Sequence, residues 1–112
     1  MLAGLACAMA CAAGGTGAYT LPWRGKGEIL RYHSCGCADA CWVAEVRVAK
    51  TGAVKARLRC DCEKLYAVYP WPGKERLYAE SCGVVGDGAD KPRAISQELE
   101  KLLQRIKPDA PR

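Results

Sequence analysis

From Trp42 onward the apolar residues fall on every second position: Trp42, Ala44, Val46 and Val48, with Glu45 and Arg47 between them. After Lys50-Thr51-Gly52 the alternation resumes as Val54, Ala56, Leu58 and Cys60, with Lys55, Arg57 and Arg59 on the other parity. Side chains two apart share one face of a strand. A period of two on both sides of a Gly-containing turn therefore predicts a β-hairpin with one buried face and one basic face. Trp42 falls on the buried side.

The flanking segments extend this hairpin. Residues 19–27 contain Pro and two Gly and read as an extended lead-in. Residues 28–35 (EILRYHSC) suit a strand, and residues 36–40 form a tight, cysteine-dense turn. LYAVY at 65–69 adds another strand to the meander. Pro70-Trp71-Pro72-Gly73 must be a turn, because two prolines and a glycine cannot continue a ladder. RLYAESC at 76–82 reads as a further strand, followed by a loop at 83–89.

Near the C-terminus the period changes. Ile95, Leu99, Leu102, Leu103 and Ile106 form one stripe of an amphipathic helix. Asp90 is placed to cap it, Pro92 fits its first turn, Arg105 and Lys107 suit its negative end, and Pro108 stops it. The expected fold is α+β: a small antiparallel β-meander of about four strands with one C-terminal helix packed on it, stapled by disulfides.

Composition adds a boundary. Every Lys, Arg, Asp and Glu lies after Tyr19, while residues 1–18 are apolar and Ala-rich. That stretch is too short and weakly hydrophobic for a membrane span, and is expected to be a secretory signal peptide. Lipidation at Cys11 is the alternative use of the same segment. The remainder divides into one domain at 19–107 and a loose tail at 108–112. The expected location is periplasmic or secreted.

The cysteines carry the same message. Of eight, two fall in the leader, leaving Cys35, Cys37, Cys41, Cys60, Cys62 and Cys82. An even set in a small exported domain reads as a disulfide framework, for which six cysteines allow fifteen connectivities. Cys60 and Cys62 are expected side by side on one strand face. Pairing of the 35–41 cluster with Cys60, Cys62 and Cys82 would staple the turn to the sheet. Two other uses compete: thiolate ligation of Zn²⁺ or Cu⁺, although CxC is not the usual zinc-ribbon spacing, and thiol-redox chemistry at Cys35-Gly36-Cys37 near His33.

Candidate catalytic chemistry is sparse. The chain has a single His and no HExxH, GxSxG or recognised phosphate loop. Neither an enzymatic activity nor a cofactor is expected. The formal charge of +5 has a location instead: Arg47, Lys55, Arg57 and Arg59 on the outward hairpin face. Such a face suits an acidic protein partner, with nucleic acid disfavoured by export. Trp71, rigid between two prolines, is either the binding anchor or a ring folded back over the sheet edge to cap the core. In size, export and cysteine use the chain is similar to small bacterial periplasmic inhibitors, such as lysozyme inhibitors and immunity proteins against cell-wall hydrolases. The likeness lies in layout, so it assigns no residues. It implies an exported binding protein whose turn at 70–73 or loop at 83–89 plugs a hydrolase cleft; the alternative is an envelope metal-binding or thiol-redox protein.

Overall fold

The central hairpin sets the frame for everything around it. In the computed structural model, which describes residues 17–34, 40–86 and 88–105, strand β3 (Cys41–Val48) pairs antiparallel with β4 (Val54–Asp61). Trp42 faces Cys60, Ala44 faces Leu58 and Val46 faces Ala56, all on the buried side. A bulge after Val46 sets Arg47 opposite Val54. Gly52 closes the turn with φ at +79°, a conformation that glycine adopts without steric cost.

The sheet has six strands, not about four. β1 (Gly17–Leu21), β2 (Glu28–Ser34), β5 (Leu65–Val68) and β6 (Arg76–Ala79) complete a meander in which spatial order equals chain order. β1 begins at Gly17 and Ala18, within the stretch expected to be the leader, and runs into what reads by composition as a lead-in. It forms because Tyr19 and Leu21 continue the inward parity, opposite Tyr32 and Leu30. Pro22 ends it before a run of alternation long enough to notice. β6 stops at Ala79, short of the expected 76–82, and the chain passes into a 3-10 turn, Cys82–Val84.

Helix α1 (Lys91–Arg105) closes the inner face. The Asp90 carbonyl accepts the Ala94 N–H at 2.9 Å, so Asp90 stands where the helix begins. Ile95, Leu99 and Leu102 are buried in one core cluster with Leu30, Leu58, Leu65 and Trp42. Burial of an aliphatic side chain of this kind contributes about 1.5–3 kcal/mol. Ile106, Lys107 and Pro108, like residues 1–16 with Cys11 and the tail, lie outside the described residues. Among the described residues no helix is long and apolar enough to cross a membrane.

With the helix on one side, the sheet is covered there and open on the other. That uncovered side carries the residues of the odd parity on β3 and β4.

Candidate functional site

Glu45 is the pivot of the uncovered face. It stands in a cross-strand row between Arg31 on β2 and Arg57 on β4, and it is only 7% exposed. Arg47, two residues along the same strand face, donates from Nε to Oε1 at 2.9 Å. Arg57 Nε donates to Oε2 at 3.0 Å. Each carboxylate oxygen thus receives its own guanidinium. Burial pushes the Glu45 carboxyl up, but the hydrogen bonds and charges of Arg47 and Arg57 outweigh it and hold the group below its ordinary range.

The same arrangement repeats beside it. Arg59 donates through Nε and Nη2 to the two oxygens of Glu75, each at 2.8 Å. This bidentate fork, more than the burial that opposes it, holds the Glu75 carboxyl down and the Arg59 guanidinium up. Lys55 pairs with Glu28. Burial raises Glu28, and the Lys55 and Trp23 hydrogen bonds more than offset that, leaving the carboxyl below its ordinary value. All four cations of the predicted basic face are therefore engaged with carboxylates. What sequence parity reads as a bare positive strip is a lattice of ion pairs holding the long side chains in place.

Aromatic rings complete the lattice. Arg59 lies over the Tyr66 ring, 4.8 Å from its centroid. Arg57 lies over Trp71, 4.5 Å from its centroid. Trp71 reaches that position because the turn at 70–73 folds back onto the sheet. Gly73 permits the fold: a Cβ there would stand 2.6 Å from the Pro70 carbonyl oxygen. The peptide bonds before Pro70 and Pro72 are both cis. Beneath the turn, Val68 is buried although it faces the uncovered side. Trp71 itself is half-buried, neither a free tip nor part of the core. Trp42, by contrast, is fully within the core.

The cysteines close one end of the same sheet. Cys41 bonds to Cys62 and Cys60 bonds to Cys82. Cys60 and Cys62 do not stand side by side on a strand face. β4 ends at Asp61, whose carboxylate accepts the N–H groups of Glu63 and Lys64 at 3.1 and 2.8 Å. The turn so formed puts Cys62 at φ +83°, so Cys60 turns into the core and Cys62 stays exposed. Cys41 belongs to the predicted 35–41 cluster and does pair across elements; Cys35 and Cys37 lie outside the described residues. Any thiolate site built from Cys41, Cys60, Cys62 and Cys82 requires reduction first. Among the described residues no cluster of His, Cys, Asp and Glu could hold a metal ion.

His33 is exposed on the uncovered face, opposite Val43. The candidate plug at 83–89 is anchored at its start: Cys82 is bridged to Cys60 and Val85 is buried in the core. Two contributors escape sequence reading. Glu75 and Tyr66 sit in segments that read as turn and plain strand, and only the folding of β5 and β6 beside β4 brings them to Arg59. Comparisons with models of protein families, with curated proteins and with solved structures find no match to this chain.

Proposed function

We propose that this chain is an extracytoplasmic binding protein whose uncovered sheet face docks an acidic protein partner, in the manner of an inhibitor or immunity protein of a cell-wall hydrolase. The observation that carries the reading is the pair of stacks Arg57–Trp71 and Arg59–Tyr66, held side by side on an uncovered face. Trp, Tyr and Arg are the residue types that dominate binding energy in protein interfaces. Here their rotamers are fixed in advance by the Glu45 and Glu75 ion pairs, so little side-chain entropy remains to be lost on docking. The guanidiniums keep unspent N–H groups for a partner's carboxylates, since each Arg has five donors. Two intramolecular disulfides fit an oxidising compartment.

The test is binding and inhibition by the purified oxidised protein against a panel of acidic peptidoglycan hydrolases. A member of the panel should be bound, and Trp71→Ala should weaken that complex about tenfold or more, as expected for loss of a hot-spot aromatic. The melting temperature of the variant should fall by only a few degrees, because the half-buried Trp71 lies outside the core and a cation–π contact near the surface contributes about 0.5–1 kcal/mol. Binding that survives Trp71→Ala and Arg57→Ala unchanged would remove this face from the site.

A further inference from the structure

A second site lies on the helix side of the molecule, around Trp23. Unlike Trp71, this indole is fixed at its polar edge. Its Nε1–H donates to Glu28 Oε1 at 2.8 Å. Gly25 makes room for that contact: a Cβ there would fall 2.5 Å from the indole nitrogen and 2.1 Å from Glu28 Oε1. The Ser96 hydroxyl donates to the Pro22 carbonyl at 2.6 Å, tying this stretch of chain to the helix. The ring is thereby held as a rigid wall, with its hydrogen-bonding group already used.

Two adjoining depressions share this wall together with Arg24 and Glu100. One, of about 450 Å³, reaches Arg93 and Gln97; the other, of about 270 Å³, reaches Gln104. Both are shallow troughs open to solvent and not enclosed clefts. Arg93, Gln97, Glu100 and Gln104 follow one face of α1. At 1.5 Å per residue they span about 16 Å, which makes the trough elongated. Its polar groups are planar donors and acceptors. Arg93 enters no ion pair among the described residues, and Arg24 is 86% exposed in a loose 3.5 Å pair with Glu100. Two guanidiniums facing one carboxylate leave the trough net positive.

We infer that this trough binds a short acidic oligosaccharide. The negative face of the indole attracts the polarised C–H groups of a pyranose ring, and Gln97, Gln104 and Glu100 offer amide and carboxylate partners for hydroxyls. Arg93 and Arg24 match a carboxylate on the sugar, for which the guanidinium fork is suited. The length of the trough fits an oligomer better than a single ring. This site is distinct from the Arg57–Trp71 and Arg59–Tyr66 stacks, although the Glu28 carboxylate that holds Trp23 also pairs with Lys55.

The experiment is an NMR titration of the oxidised protein with tri-galacturonate, a neutral trisaccharide and a mononucleotide. The Trp23 indole N–H and the backbone amides of Arg93, Gln97 and Gln104 should shift with the acidic sugar, which should bind about tenfold tighter than the neutral one. Trp23→Ala should abolish binding and Trp23→Phe should retain part of it. Arg93→Gln, an exposed helix substitution that leaves the core intact, should equalise the two sugars. Trp71→Ala should change nothing here, which separates this site from the docking face. Absence of shifts with both sugars overturns the proposal. So does tighter binding of the nucleotide, or an acidic-sugar affinity unchanged in Arg93→Gln.

Discussion

Glu45 shows how a single residue can invert the reading of a surface. Parity places it outward, where an isolated carboxylate among arginines looks like a minor correction to a basic strip. Parity puts Glu45, Arg47 and Arg57 on one face, but that Arg57 stands directly opposite Glu45 depends on the hairpin register, which the residue types do not fix. In that register, Arg47 two residues along the strand and Arg57 across it cover the carboxylate with two guanidiniums. Glu45→Gln should therefore destabilise the fold by about 1–2 kcal/mol, the scale of a hydrogen bond to a charged group, reduced because both arginines remain about a third exposed. The pH dependence follows from the same carboxyls. Glu45 and Glu75 have folded pKa values below their ordinary ones, so their pairs stabilise fully above the unfolded Glu value of about 4.3. As pH falls through that value the unfolded chain takes up protons first, stability drops, and the contribution is gone once the folded carboxyls protonate too. Urea unfolding from about pH 7 down to about pH 3 should show the wild type losing more stability than Glu45→Gln. Parallel curves would mean that the Glu45 pairs contribute nothing.

At the scale of elements, strong periodicity was legible and short or interrupted segments were not. The hairpin and the helix stripe each give several in-phase residues, and Leu58, Ile95 and Leu99 are all completely buried. β1 offers only Tyr19 and Leu21 before Pro22, and β6 contains an irregular register against β5, so neither announces its length. Inter-element cysteine pairing was legible, but the partners were not, because the positive φ at Cys62 separates two sulfurs that strand geometry would keep together. That separation has a chemical consequence. Both bridges close loops of similar size, with separations of 21 and 22 residues, so loop entropy alone gives each about 3 kcal/mol. Access distinguishes them: Cys62 is exposed, whereas Cys60 is 3% exposed. Thiol–disulfide exchange needs a thiolate to reach a sulfur. Limited dithiothreitol followed by alkylation and mass spectrometry should label Cys41 and Cys62 before Cys60 and Cys82. Equal labelling of all four at every stage would show that global unfolding, and not local access, controls reduction.

For the molecule as a whole, the question is what the excess of positive charge does once its most prominent members are paired. The chain carries 17 Lys and Arg against 12 Asp and Glu, yet Arg47, Lys55, Arg57 and Arg59 share three carboxylates, Glu28, Glu45 and Glu75. A net +5 still produces a field at long range, where paired charges cancel and only the excess counts. At contact range the partner meets fixed guanidiniums and rings, whose desolvation and packing decide how long it stays. The two contributions separate kinetically. Long-range attraction acts on the association rate and is screened by salt, whereas buried contacts act on dissociation. Raising ionic strength from roughly 0.01 M to 0.1 M shortens the screening length from about 30 Å to about 10 Å. Over that interval the association rate with an acidic partner should fall severalfold while the dissociation rate stays nearly constant. Trp71→Ala should do the reverse, accelerating dissociation with little change in the salt dependence of association. Surface-plasmon or stopped-flow kinetics on the two proteins read both rates directly. If salt instead accelerates dissociation as strongly as Trp71→Ala does, the partner is held mainly by exposed ion pairs, and the stacked arginine–aromatic lattice is not the anchor.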